Sequence, residues 1–159
     1  MIASTESWAL FFHLLGVLLF AGGVVVAGVA FEAARRRSQP SEIALLLGLT
    51  RVGVVLVAVG TIVLLPFGFW LVSIEDIGLG TAWVVAAIAL FVVVSVLGAI
   101  GGQRPKRARL LAERLAADGI GESEELRAAL HNPVARTLNY VSAVLGLAIV
   151  ALMVFKPGG

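Results

Sequence analysis

Four apolar stretches decide what this chain can fold into: Trp8 to Phe31, Val52 to Ile74, Ala82 to Gly102 and Leu138 to Phe155. At a rise of about 1.5 Å per residue, runs of this length cover most or all of a hydrocarbon layer about 30 Å thick. The chain as a whole is 60% hydrophobic, well above the roughly 45–50% apolar share of soluble domains. The stretches are dense in β-branched residues, as in Val24-Val25-Val26 and Val92-Val93-Val94, which in water would favour strands. In lipid each backbone group must find its partner inside its own segment, so helices are predicted instead. The predicted fold class is all-α: an integral membrane four-helix antiparallel bundle, one domain over residues 1–159, with Leu138 to Phe155 its shortest and most polar span. Met1 to Ser7 lacks the positive charges of a secretory signal, so the first stretch is read as an uncleaved span.

The connections set the orientation. Arg35, Arg36, Arg37 and Arg51 lie in the first, and Arg104, Lys106, Arg107, Arg109, Arg114, Arg127 and Arg136 in the third. Lys156 alone falls on the other side, and the second connection carries Glu75 and Asp76 without a base. Positive charge marks the cytoplasmic side, so both termini are predicted outside. Trp8, Trp70 and Trp83 fall at the outer ends of their spans, where indole rings sit at headgroup level. The flanking position of these bases points to membrane anchoring rather than to nucleic acid.

Within the third connection, Leu111 and Leu115 are spaced by four, with Arg107 and Arg114 toward another face. That pattern predicts a short amphipathic cytoplasmic helix over Arg107 to Ala117, lying on the inner membrane surface. Glu124 and Glu125 suit the start of a second short helix, and Pro133 a stop near its end.

Polar residues inside the spans are the informative ones, because burying them costs free energy that something must offset. They are His13, Thr61, Ser73, Ser95, Asn139 and Ser142. No Asp, Glu, Lys or Arg lies deep in a span, which argues against a carboxylate relay or a charged ion path. The absence of cysteine removes disulfides, thiolate metal sites and iron–sulfur clusters. His13 lies on a face that continues through Gly16, Phe20, Gly23 and Ala27, small residues that let a second helix approach. Its imidazole is expected either to bond a backbone carbonyl or an Asn139-type partner, or to ligate a metal or haem iron. Met153, placed in the same leaflet by the predicted topology, is the candidate second ligand for a cofactor such as haem b. His131, on the opposite side, is read as a helix C-terminal residue. Pro66 should interrupt the second span near the His13 level. The pairs Gly23 and Ala27, Ser95 and Ala99, Gly98 and Gly102, and Ser142 and Gly146 read as helix-packing surfaces.

The opening Trp8-Ala-Leu-Phe-Phe-His13-Leu-Leu-Gly16, the basic Arg35-Arg36-Arg37, Gly80-Thr-Ala-Trp83 and Arg104-Pro105 resemble a family of small bacterial proteins described as predicted integral membrane proteins. That resemblance implies a bacterial plasma membrane location and no established activity. More remotely, the His-bearing first span is similar to those of copper-resistance D membrane proteins and of the haem-dependent four-span protoporphyrinogen oxidase. In that oxidase a lysine closely follows the tryptophan of the third span, whereas Trp83 is followed here by Val84, Val85, Ala86 and Ala87. The expected function is therefore structural or accessory, in a bundle that self-associates or joins another membrane protein. The alternatives are a haem- or metal-binding redox protein using His13 and, third, a small-solute or copper transporter.

Overall fold

A computed structural model describes residues 4–131 and 133–157, all the elements of which are helical. They are α1 (Thr5–Arg35), α2 (Pro40–Ile74), α3 (Ala82–Ala117), α4 (Glu124–Leu130) and α5 (Pro133–Phe155). By length and composition α1, α2 and α3 can each cross a membrane, whereas the apolar helix described toward the C-terminus, Tyr140–Phe155, is shorter. The side chains of Arg136 and Asn139 lie outside the described residues.

The connections are much shorter than their charge content suggests. Of the stretch from Glu32 to Arg51, only residues 36–39 are outside a helix. Arg and Glu are good helix formers, so charge marks the end of a span but not the end of a helix. The chain turns through Arg36 and Arg37, whose amides donate to the carbonyls of Ala33 and Ala34. It re-enters a helix at Pro40, a residue whose missing N–H is no loss in a first turn.

After α2, Asp76 adopts φ 51° and the Ile77 amide reaches back to the Val72 carbonyl at 3.0 Å. After α3, Gly119 adopts φ 66° and the Ile120 amide reaches the Leu115 carbonyl at 2.9 Å. Both are Schellman-type ends, in which one left-handed residue lets the next amide satisfy an otherwise orphaned carbonyl.

The chain divides into two compact units. The first comprises α1 up to Ala30 together with Leu49–Leu79. It is the hairpin of the first two apolar stretches. The second comprises Phe31–Gly48 and the chain from Gly80 onward. Its core gathers Phe31, Ala34, Ile43, Leu47, Ala108, Ala112, Leu126 and Leu130, with Leu111 and Leu115 packed against it. This corrects the expected amphipathic surface helix. Arg107 to Ala117 is the continuation of α3, which runs unbroken through Pro105, and its Leu111 and Leu115 face protein. One missing hydrogen bond at a proline is offset by the apolar contacts that the following turns recover.

The expected second short helix is present as α4, with Ser123 accepting from the Leu126 amide at 3.4 Å and Glu124 and Glu125 in its first turn. His131 caps its C-terminus, Nδ1 donating to the Arg127 carbonyl at 2.9 Å. In the same unit α5 packs along α3. Lys156 Nζ lies 5.7 Å from the centre of the Trp83 ring. Trp83 is only 8% exposed, so it packs within the protein, whereas Trp8 is 51% exposed.

Candidate functional site

The first unit is built on small residues at intervals of seven. Ala9, Gly16, Gly23 and Ala30 on α1 are all buried, as are Gly53 and Gly60 on α2. A seven-residue interval keeps one seam facing the same partner along two helices. The approach along that seam is backbone to backbone. A Cβ added at Gly16 would lie 2.5 Å from the Leu64 amide nitrogen, and one at Gly23 2.5 Å from the Gly53 carbonyl oxygen. Reciprocally, a Cβ at Gly53 would lie 2.6 Å from the Gly23 oxygen, and one at Gly60 2.5 Å from the Phe20 nitrogen. Each helix therefore fits the other only where a side chain is missing.

His13 stands on this seam and is 9% exposed. Its Nδ1 lies 2.9 Å from the Leu64 carbonyl oxygen on α2. A carbonyl only accepts, so Nδ1 carries the proton and, in the neutral ring, Nε2 keeps its lone pair. Gly68 makes room for the ring, since a Cβ there would come within 2.9 Å of Cε1 and 3.0 Å of Nδ1. A backbone carbonyl, one of the partners expected for His13, is supplied by Leu64.

Beside it, Phe12 stacks on Phe67 with centroids 4.8 Å apart, and Phe67 lies 5.8 Å from Trp70. Trp8 joins the cluster through Phe12 at 6.1 Å. Pro66 lies within α2, between the carbonyl that His13 engages and the glycine that admits its ring.

Two of the other polar groups are satisfied locally. Thr61 Oγ1 donates to the Val57 carbonyl and Ser95 Oγ to the Phe91 carbonyl, each at 2.8 Å. Such back-bonding inside one helix lets a hydroxyl lie in an apolar layer without a partner from elsewhere. Met153 is half-buried on α5, in the second unit. Among the described residues, no group of three or more His, Cys, Asp and Glu side chains could hold a metal ion.

A family model described as predicted integral membrane protein (DUF2269) matches residues 8–157. The chain belongs to that family. No curated protein and no solved structure matches it. In this member of the family, the residues that a reading of spans and charges left out are Gly53, Gly60 and Gly68 on α2. For Gly53 and Gly60 the signal is their interval of seven, which repeats that between Gly16 and Gly23, whereas Gly68, eight residues further on, falls outside it. Conversely, at Gly98, Gly102 and Gly146 in the second unit an added Cβ would meet nothing within 4 Å among the described residues.

Proposed function

We propose that this integral membrane protein is a structural or accessory helical component that self-associates or joins a larger membrane complex. The observation that carries this reading is the use made of the His13 imidazole, which binds one helix to the other at the Leu64 carbonyl. The free surface supplies the second half of the argument. Gly98 and Gly102 lie one turn apart on α3 with open space before both, which leaves room for the backbone of another helix. The distribution of Lys and Arg supports an orientation with both termini outside and four spans, the fourth within α5.

A second reading keeps a specific observation in its favour. A histidine that donates Nδ1–H to a carbonyl and holds Nε2 bare is oriented as metal-ligating histidines commonly are. On this alternative His13 supplies one axial ligand to haem iron or binds a soft metal, with water or His13 of a second copy completing the site.

Reporter fusions and native mass spectrometry of protein released from bacterial membranes test the main reading together. A reporter inserted after Gly119 should read cytoplasmic and one after the last residue should read outside. The released species should contain two or more chains, or this chain with another membrane protein. A lone chain carrying a stoichiometric haem would favour the alternative, and a Gly119 reporter outside would overturn the orientation.

A further inference from the structure

In the second unit, the α1–α2 turn and the segment leading into α4 line a cavity of about 430 Å³, within the roughly 300–1,000 Å³ of small-ligand sites. Its floor is apolar, from Ile43, Leu126 and Leu130. Its charged lining comes from two parts of the chain. Arg35, Arg36 and Arg37 belong to the turn, Glu122 and Glu124 to the approach and first residue of α4, and Arg127 to the next turn of α4.

The bases of the turn are incompletely satisfied. Glu32 pairs with both Arg35 at 3.0 Å and Arg36 at 3.9 Å, while Glu42 stands 3.7 Å from Arg37. Two carboxylates thus serve three guanidiniums. The Arg35 side chain is 14% exposed, yet its Nε is buried without a hydrogen-bond partner. The donors open to a ligand are those of Arg36 and Arg37, whose side chains are exposed and each stand near a single carboxylate. Arginine is also the side chain best matched to phosphate, through its planar array of donors.

A bare anion does not fit the whole lining. Glu122 and Glu124 face the same cavity and would repel a multiply charged anion, while offering acceptors to a cationic group. A ligand bearing both charges satisfies both parts. We propose that this cavity binds a phosphate ester carrying a primary ammonium group, the phosphate against the arginines of the turn and the ammonium donating to Glu122 and Glu124. The position suits a headgroup: Arg35 follows Phe31, the end of the first apolar stretch, by four residues, or about 6 Å of helix. That is the depth at which lipid phosphates meet the ends of membrane helices. The same chemistry could also arrive as a soluble ester.

The test uses the full-length protein in nanodiscs of equimolar ethanolamine, choline and glycerol phospholipids with identical acyl chains. Lipids retained on release are counted by native mass spectrometry. The ethanolamine lipid should be retained about tenfold over the other two, the scale of one charge-assisted hydrogen bond. A trimethylated ammonium cannot donate to the glutamates, so Glu122→Gln with Glu124→Gln should erase the preference over choline. Arg36→Gln with Arg37→Gln, both at exposed side chains, should lower ethanolamine-lipid retention by about tenfold without changing the melting temperature. Soluble glycerophosphoethanolamine then separates the sources: displacement of the lipid places a soluble ester in the cavity, and failure to displace it assigns the site to lipid. Equal retention of all three lipids, a glycerol-lipid preference that survives the glutamine variants, or retention indifferent to both double variants would overturn the proposal.

Discussion

Substituting alanine for glycine should change the stability of this protein in opposite directions along a single helix. At Gly16, Gly23, Gly53 and Gly60 the new methyl would land 2.5–2.6 Å from backbone atoms of the facing helix. Backbone cannot rotate away as a side chain can, so the two helices must separate. Each such change should cost about 1–3 kcal/mol, the range for overpacking, or more. At Gly22 and Gly28 nothing lies within 4 Å, and there alanine should stabilise by about 0.5–1 kcal/mol through helix propensity alone. Thermal and denaturant unfolding in detergent would show it. The larger pair, Gly23→Leu against Val24→Leu, extends the contrast, since Val24 is exposed and its replacement meets only lipid or detergent. If buried and open glycines respond alike, the helices do not meet along the seven-residue seam.

The second large effect lies at His13. Replacement by alanine removes the bond to Leu64 and leaves a void beside Gly68, and should destabilise the hairpin by about 1–3 kcal/mol. His13→Phe keeps most of the volume and loses the donor, so it should cost less, nearer the ~0.6–1.7 kcal/mol of interhelical hydrogen bonds in membranes. Gly68→Ala by itself should also destabilise, because its methyl would press on Cε1 and Nδ1 of the ring. In a His13→Ala background the same methyl enters vacated space, and the penalty should vanish or reverse. Coupling of about 0.5–3 kcal/mol is the usual mark of residues in direct contact. Additive effects in this double-mutant cycle would show that His13 and Gly68 do not touch.

Much of this was legible in the sequence, and the reasons differ from part to part. The first three spans follow from length and hydropathy, because lipid leaves the backbone no choice but a helix. The seam is half visible: Gly16, Gly23 and Ala27 share the His13 face in the sequence, but nothing there pairs them with their counterparts on α2. One helix displays a small-residue stripe in isolation, whereas which stripe it meets depends on the turn between them. Gly98, Gly102 and Gly146 show the converse, glycines at packing intervals that face open space. The surface helix expected over Arg107 to Ala117 failed for a related reason. Periodicity reveals that a face is apolar but not what covers it, and here the cover is the core of Phe31, Ile43 and Leu126. Trp83 looked like an interfacial anchor by position and is buried by its neighbours. At His13 the sequence could name the class of partner, and the fold had to supply Leu64.

The role of that histidine is tested most directly by nitrogen NMR of histidine-labelled protein in a bilayer, with His131→Asn used to assign the two rings. A helix-locking His13 predicts a protonated Nδ1 coupled to the Leu64 carbonyl and an Nε2 that coordinates no metal. Supplying haem during expression should leave both resonances in place and the visible spectrum without a Soret band. Loss of the Nε2 resonance to a paramagnetic centre, together with a Soret band that His13→Ala abolishes, would contradict that role and make His13 a ligand.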